Sequence, residues 1–425
     1  MEKRMEENYL AILCRELVPA LGCTEPIAVA YAAAKARETL GAFPERLEVA
    51  CSGNIVKNVK GVVVPNSGGM RGIHVAATLG VVGGDAAREL QVLESVTPED
   101  IAETRRLLEK GYCACTLAEG VANLYVSVEA FAGGHSAGVT LQDHHTNITE
   151  IRRDGEILFS AETAAAAEDA PDYDSMTLEG VLEFAESVDT ARVQEVLQRQ
   201  IDMNSAIAET GLHGDFGANV GRTLLENYPD CVEIRARARA AAGSDARMNG
   251  CALPVVINSG SGNQGMTASL PVAEYAKELG ATQEQLYRAL LVSNLSAVYI
   301  KHFIGSLSAF CGAVIAASGA GAGITYLLGG SHEQIENTII NTLADVGGVI
   351  CDGAKSSCAA KIASAVDAAI LSAKMSMRDR RFQPGEGLVS HLAENSIRNF
   401  GYVGRVGMKQ TDVEILNTML KDSSF

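Results

Sequence analysis

Two cysteines near the C-terminal end of the chain, Cys351 and Cys358, lie in the segment GGVICDGAKSSC with six residues between them. This spacing is too wide for a CxxC redox motif or a zinc knuckle. The intervening peptide is small and polar, and a Gly/Ser loop can donate backbone N–H groups to the sulfur atoms of an iron–sulfur cluster. Taken alone, the segment is compatible with two buried thiols on a flexible turn and with two cluster ligands, and both interpretations stay open.

Cys23 and Cys311 are the other two cysteines in a chemically suggestive setting. Cys23 lies in the segment LGCTEP, in which TEP can begin a helix. A thiol at a helix N-terminus is expected to have a lowered pKa, so that it can act as a base or a nucleophile. Cys311 lies in an uncharged, Gly- and Ala-rich segment that we expect to be buried. The other six cysteines are expected to be small packing residues: Cys14, Cys51, Cys113, Cys115, Cys231 and Cys251.

Two short loops carry the sequence Asn-Ser-Gly after an apolar, strand-like run, in VVVPNSGGMRG and in VVINSGSGNQGM. A Gly-rich loop that enters a helix exposes backbone N–H groups, and the helix dipole favours an anion there. An Asx turn followed by an ordinary N-cap explains the same residues without a ligand. The candidate substrate-binding residues of the two loops are Asn66, Ser67, Gly68, Asn258, Ser259, Gly260 and Asn263.

Motifs for nucleotide and pyridoxal cofactors are absent from the sequence. It contains no GxxxxGK[ST] or HExxH motif. In SGAGAG, Ile324 stands where the third glycine of a dinucleotide-binding motif would fall, and the strand and acidic residue of that motif do not follow. Lys301 and Lys355 are conceivable Schiff-base lysines, but neither has a specific context. We therefore expect neither NAD nor pyridoxal phosphate as a cofactor.

The composition is that of a globular protein without a nucleic-acid or membrane partner. Hydrophobic residues make up 47%, charged residues 20%, and the net charge is −17, whereas phosphate groups and anionic membranes require clustered cations. The charged N-terminus lacks an apolar signal-peptide core, which predicts a cytoplasmic protein with reduced cysteines. The uncharged run from Phe303 to Ser331 is long enough to span a bilayer. Its many small residues instead predict two short buried helices around a break at SGAGAG.

The elements that must position these residues predict an α+β protein. Helical apolar spacing covers residues 7–41, 73–82 and 98–110, whereas a strand-like run covers residues 46–65. Alternating patterns with a turn at Asp154-Gly155 then predict antiparallel strands. Beyond residue 175 the apolar spacing is mostly helical.

The acidic, Ala-rich stretch over residues 160–175 is the best linker candidate. We predict an N-terminal domain over residues 1–170, which contains antiparallel strands and carries Cys23 and the first Asn-Ser-Gly loop. A mostly helical, Gly/Ala-rich domain over residues 171–425 carries the second loop and the cysteines near the C-terminal end. The helical half is compatible with packing inside one subunit and with packing across a homodimer, and both stay open.

Five segments in order resemble the L-cysteine desulfidase family, which is related to the α part of iron–sulfur-dependent L-serine dehydratases: LGCTEPIAVAYAAA, VPNSGGMRGI, INSGSGNQGM, SLSAFCGAVIAASGAGAG and GGVICDGAKSSCAAKIA. The resemblance implies a [4Fe–4S] cluster held by Cys311, Cys351 and Cys358, with the fourth iron open for substrate, and Cys23 as the proton acceptor. Compared with the dehydratases, the gap between the last two cysteines is shorter and a regulatory β domain is lacking. Both departures favour the desulfidase branch.

The reaction implied by the resemblance is the elimination of hydrogen sulfide from L-cysteine, which yields pyruvate and ammonia after hydrolysis of the aminoacrylate product. The open iron would act as a Lewis acid, the Cys23 thiolate would remove the α-proton, and the Asn-Ser-Gly loops would hold the carboxylate. An iron–sulfur L-serine ammonia-lyase is the alternative of the same class. A thiol- or metal-based redox sensor without turnover is the alternative of another class.

Overall fold

The computed structural model describes residues 1–161, 171–305 and 307–421, and the predicted domain boundary at residue 170 lies outside these ranges. The helices are α1 (Lys3–Glu16), α2 (Thr24–Leu40), α3 (Gly53–Lys60), α4 (Ile73–Gly83), α5 (Pro98–Leu108), α6 (Leu178–Ser187), α7 (Gln194–His213), α8 (Val220–Asn227), α9 (Val232–Met248), α10 (Gly262–Glu278), α11 (Gln283–Ile304), α12 (Gly312–Leu327), α13 (His332–Val346), α14 (Cys358–Ser376), α15 (Ala393–Tyr402) and α16 (Lys409–Lys421). The strands are β1 (Pro19–Leu21), β2 (Arg46–Cys51), β3 (Cys113–Leu117), β4 (Tyr125–Ala132), β5 (His135–Gln142), β6 (Ile148–Arg153), β7 (Glu156–Ser160) and β8 (Pro254–Val256).

Six strands form one mixed sheet in the order β3-β2-β4-β5-β6-β7. β2 and β3 are parallel, and the other neighbouring pairs are antiparallel. Buried and partly exposed residues alternate along β4, as expected for a strand with one face on the core, and α2 packs against β4 and β5. The predicted antiparallel strands and the turn at Asp154-Gly155 are confirmed.

The strand predicted over residues 46–65 is wrong beyond Cys51. β2 ends there, and α3 begins because the hydroxyl of Ser52 accepts a hydrogen bond from the backbone N–H of Ile55 at 3.5 Å. Ile55, Val56 and Val59 are then buried on one face of the helix. An apolar run this short does not by itself distinguish a strand from a helix.

The remainder of the chain is helical, with α12 at its centre. α12 packs against α10, α11, α13 and α14, and almost all of its residues are buried. A second, two-stranded sheet joins β1 antiparallel to β8. Because β1 directly precedes the turn that carries Cys23, and β8 precedes the second Asn-Ser-Gly loop, this pairing brings the two segments together. The α+β class is confirmed.

The predicted break at SGAGAG is wrong, because these residues lie inside α12. The helical structure is interrupted earlier, between the end of α11 at Ile304 and the start of α12 at Gly312. The glycines permit close helix packing. A Cβ added at Gly319 would lie 2.3 Å from the carbonyl oxygen of Ser293, and one added at Gly323 would lie 2.7 Å from that of Ala289. Both carbonyls belong to α11, so the glycines let the backbones of α11 and α12 approach each other.

Across residues 1–161, 171–305 and 307–421, the structure contains no helix whose length and apolar character would let it cross a membrane.

The close packing of α11 and α12 makes a prediction about Gly319→Ala. Alanine is the better helix former by about 1 kcal/mol, but its Cβ would collide with the backbone of Ser293. We expect the free energy of unfolding to fall by roughly 1–3 kcal/mol in urea denaturation. Gly348→Ala is the control, because a Cβ there meets nothing within 4 Å. Equal or greater stability of Gly319→Ala would contradict this account.

Candidate functional site

Four helices begin at the wall of one cavity of about 580 Å³. Cys23 is the N-cap of α2, Ser261 the N-cap of α10 and Cys311 the N-cap of α12, and Cys358 is the first residue of α14. None of these four helices has a side-chain cap provided by a described residue. By contrast, α5, α11 and α13 have complete capping boxes.

An uncapped helix N-terminus leaves several backbone N–H groups without partners and carries a partial positive charge. Four such ends at one cavity create a positive potential that favours anions, including thiolates, carboxylates and an anionic iron–sulfur cluster. The wall formed by these helix ends therefore favours negatively charged groups, although acidic residues also line the cavity and the chain carries a net charge of −17.

A single β-bridge holds two of the predicted ligand cysteines side by side. Phe310 and Ile350 form an isolated antiparallel bridge. The N–H of Cys311 donates to the carbonyl of Val349 at 3.1 Å, and the N–H of Cys351 donates to the carbonyl of Ala309 at 2.7 Å. These backbone bonds fix the start of α12 against the segment before α14.

Lys57 of α3 packs against the loop from Cys351 to Cys358. Gly353 has φ +93°, and a Cβ added there would lie 2.3 Å from the backbone oxygen of Lys57. The Lys57 side chain is 2% exposed, donates to the carbonyl of Cys351 at 3.4 Å and forms an ion pair with Asp412 of α16. The sulfur of Cys358 contacts the carbonyl of Gly353 at 3.7 Å.

The three thiols lie close enough to influence one another electrostatically. Burial, with contributions from the other two thiols, raises the pKa of Cys311 to about 12. Burial also raises the pKa of Cys358. Cys311 and Cys358 are therefore protonated without a metal, so that binding a metal would have to displace their protons.

Two lysines supply positive charge to the cavity. Burial lowers the pKa of Lys301 to about 8, while the thiols of Cys351 and Cys311 act in the opposite direction. Burial opposes the charge of Lys361 as well, but its ion pair with Asp352 outweighs burial and raises its pKa.

The described side chains do not form a site for a single metal ion. In the part of the chain that the structure describes, no three His, Cys, Asp or Glu side chains converge on one metal ion. Cys311, Cys351 and Cys358 nevertheless line the same cavity. The corners of a cubane are separate irons, each bound by its own thiolate, so cluster ligands need not meet at one point.

Cys23 is 2% exposed, and its thiol donates to the carboxylate Oε2 of Glu25 at 3.0 Å. The helix N-terminus predicted a lowered pKa for this thiol. In the structure the pKa lies well above its usual value, because burial and the neighbouring Glu25 outweigh the nearby Arg247. Cys23 is therefore a thiol until its proton is transferred.

The carboxylate of Glu25 accepts the hydrogen bond of that thiol. Burial tends to raise its pKa, but His145, the Cys23 thiol and Arg247 together hold it below its usual value. Burial in turn lowers the pKa of His145, whose Nε2 has no hydrogen-bond partner among the described residues. The result is a carboxylate beside a thiol at the edge of the cavity.

The second Asn-Ser-Gly loop lies at this cavity. Ser259, Gly260 and Asn263 line it, and the hydroxyl of Thr24 donates to the carbonyl of Gly260 at 2.9 Å, which ties the loop to the start of α2. Asn258 is fully buried and bonds the backbone and side chain of Asn294 on α11.

The first Asn-Ser-Gly loop does not line the cavity. The amide of Asn66 donates to the carbonyl of Leu93 at 2.8 Å, and the hydroxyl of Ser67 donates to the carbonyl of Met70 at 3.0 Å. The carbonyl of Gly68 accepts a hydrogen bond from Arg105. The preceding Pro65 packs against Gly22, where an added Cβ would lie 2.2 Å from it, so this loop supports the Cys23 turn from behind.

Several polar residues of the cavity were not predicted as site residues from the sequence: Glu25, His145, Arg247, Gln264, Lys301 and Lys361. Glu25 and Gln264 lie inside the quoted segments LGCTEP and VVINSGSGNQGM, and Lys301 was considered only as a Schiff-base lysine. Arg247 gave no signal, because an arginine in the last turn of a helix is ordinary dipole chemistry.

Comparisons with known proteins place the chain in one group. The family described as the serine dehydratase alpha chain matches residues 87–417. A UPF0597 protein of Lachnoclostridium phytofermentans is 52% identical over 416 residues, which cover 98% of this chain and 100% of the relative. UPF0597 proteins of Desulfitobacterium hafniense and Bacteroides fragilis are 49% and 39% identical, and each match covers at least 99% of both chains.

The buried ion pair beneath the cysteine loop makes a prediction about stability. Asp412→Asn would leave the Lys57 ammonium, 2% exposed, without a carboxylate. We expect the free energy of unfolding to fall by roughly 3 kcal/mol in urea at pH 7, since breaking a buried pair leaves an uncompensated charge. Glu38→Gln, which removes an exposed pair with Lys35, should change it by less than about 1 kcal/mol. Similar effects of both changes would contradict this role.

Proposed function

Because the chain belongs to the serine dehydratase alpha chain family, we propose that it is an iron–sulfur-dependent lyase that eliminates hydrogen sulfide from L-cysteine. The products are pyruvate and ammonia. The observation that carries the proposal is the meeting of Cys311, Cys351, Cys358 and Cys23 at one cavity lined by uncapped helix N-termini.

Cys311, Cys351 and Cys358 are the proposed cluster ligands. When bound, a [4Fe–4S] cluster with one open iron supplies Lewis-acid chemistry to the leaving group of the substrate. The residues around the thiols fit such a group, because Lys301 and Lys361 supply positive charge and the helix ends supply N–H groups. The β-bridge between Phe310 and Ile350 orients two of the ligands.

Cys23 is the proposed acceptor of the α-proton, acting together with Glu25. The thiol must first give up its own proton, and Oε2 of Glu25 already accepts it in a hydrogen bond of 3.0 Å. The raised pKa of Cys23 makes its thiolate scarce but strongly basic, which suits the removal of a weakly acidic proton from carbon.

The substrate enters beside the second Asn-Ser-Gly loop in this proposal. Ser259, Gly260 and Asn263 line the cavity next to Cys23, so that a carboxylate at the N-terminus of α10 would lie near the proton acceptor. Asn66, Ser67 and Gly68 would act only by supporting the Cys23 turn, since they do not line this space.

L-Serine is the alternative substrate, because the matching family is described as serine dehydratase. Elimination of water from L-serine needs the same proton acceptor and the same open iron. A redox sensor without turnover would use the three thiols alone. In such a protein the hydrogen-bonded pair of Cys23 and Glu25 would have no functional role.

The central prediction concerns the reconstituted protein. After anaerobic incubation with iron and sulfide, we expect a brown protein that releases sulfide and pyruvate in equal amounts from L-cysteine. Release of pyruvate from L-serine, with no sulfide from L-cysteine, would support the alternative substrate. A cluster without turnover of either amino acid would favour the sensor.

Cysteine variants separate the ligands from the base. Cys358→Ser is expected to lower the iron content and the cluster absorbance, since a serine hydroxyl is a poor cluster ligand. Cys23→Ala is expected to keep the cluster and to lose roughly 100-fold or more in kcat, since it removes a positioned base. Cys14→Ser, at an exposed position on α1, is the control and should change neither property.

Two outcomes would contradict these assignments. A full cluster and full activity in Cys358→Ser would remove Cys358 from the ligands. Loss of the cluster in Cys23→Ala would make Cys23 a ligand and not a base.

A further inference from the structure

Arg247 is a buried cation that lines the cavity, and the nearby carboxylate of Glu25 acts on it without forming an ion pair within 4 Å. It lies in the last turn of α9 and is 2% exposed. Its Nε donates to the carbonyl of Gly22 at 2.7 Å. No carboxylate within the described ranges forms an ion pair with its guanidinium, and its terminal nitrogens bond no described residue. A buried charge without a partner is costly unless a ligand completes it.

The guanidinium lies against the N-terminus of α10. A Cβ added at Gly262, the first residue of that helix, would lie 2.4 Å from Nε of Arg247 and 2.8 Å from its Cζ. Ser261 precedes it and provides no side-chain cap. The missing side chain at Gly262 thus lets a cation and the positive end of a helix occupy the same wall, an arrangement that attracts a carboxylate.

Two amide oxygens on the same helix are orphaned beside this anion site. Gln264 and Asn263 line the cavity, and their amide oxygens, Oε1 and Oδ1, are buried without a hydrogen-bond partner in the described structure. An unsatisfied buried acceptor costs free energy, and an ammonium group has three donors to offer. Both oxygens belong to the first turn of α10, next to Gly262.

We propose that Arg247 and the N-terminus of α10 bind the α-carboxylate of the substrate, while Gln264 and Asn263 accept hydrogen bonds from its α-ammonium. The inference rests on the proposed function and names the part of the substrate that this wall recognises. It is the zwitterionic end of an α-amino acid, whatever leaving group is attached to Cβ.

The same arginine links binding to the proton acceptor. Its Nε holds the carbonyl of Gly22, the residue before Cys23, and Gly22 has φ +56° in a turn that glycine favours. A carboxylate on the terminal nitrogens of Arg247 is therefore connected through one side chain to the turn that positions Cys23. Substrates that lack a free carboxylate should bind more weakly, although their leaving group can still be eliminated.

L-Alanine and L-alaninamide are suitable probes, because neither has a leaving group and only the first has a carboxylate. By calorimetry on the anaerobically reconstituted protein, we expect L-alanine to bind at least roughly 30-fold more tightly than its amide. Arg247→Met should weaken L-alanine by a similar factor and leave the affinity for L-alaninamide nearly unchanged. In turnover of L-cysteine the same change should raise KM much more than it lowers kcat.

Arg237→Met is the matched control, since Arg237 lies on the same helix but pairs with the exposed Asp367 at 3.1 Å. It should bind L-alanine as the wild type does. If Arg247→Met does not fold, Gly262→Ala and Arg247→Lys carry the test. Gly262→Ala would displace the guanidinium, whereas Arg247→Lys would keep the positive charge but lose the paired N–H donors of the guanidinium. Both changes should therefore reduce the preference for L-alanine over its amide.

The outcomes separate this inference from the proposed reaction. If L-cysteine is eliminated but Arg247→Met keeps the wild-type KM and the preference for L-alanine, the inference is overturned and the reaction stands. If no elimination occurs but binding of L-alanine depends on Arg247, the inference stands and the reaction is overturned. Equal binding of L-alanine and L-alaninamide by the wild type also overturns the inference.

Discussion

The positive ends of four helix dipoles meet at one cavity, and the rest of the site depends on how that charge is balanced. α2, α10, α12 and α14 all begin there without side-chain caps. Bringing four such ends together in a buried space would be unfavourable without negative groups to face them. Four thiols, a glutamate and Arg247 line that space, so that the helix ends face several groups that can carry negative charge.

Long-range contacts hold these helix ends in place. The β1–β8 pairing joins the turn before α2 to the strand before α10, and the Phe310–Ile350 bridge joins the start of α12 to the segment before α14. Glycines at helix crossings let the backbones approach closely enough for this convergence. These contacts therefore fix the relative positions of the helix ends where the chemistry is proposed, and catalysis depends strongly on such positions.

Much of the fold could be predicted from local patterns. The strands from Tyr125 to Ser160 and the helices of the second half follow from periodicities of two and 3.6 residues. Two predictions were wrong, the helix break at SGAGAG and the continuation of the strand after Cys51. SGAGAG looked like a break because glycine is a poor helix former, yet buried packing against α11 stabilises a continuous helix there. The run after Cys51 looked extended until Ser52 capped a helix.

The sequence alone determined which atoms are available to the site: three thiols in Gly-rich or uncharged surroundings, a cysteine before a helix and an Asn-Ser-Gly loop at a helix start. These are local features, visible in spacing and residue type. The tertiary structure decided which of them meet. It placed Ser259 and Gly260 at the cavity and Asn66 and Ser67 behind it. It also raised the pKa of Cys23, which a helix end would lower, and it left Arg247 without a close ion pair. Burial and ion pairing depend on residues distant in the chain, and no local pattern specifies them.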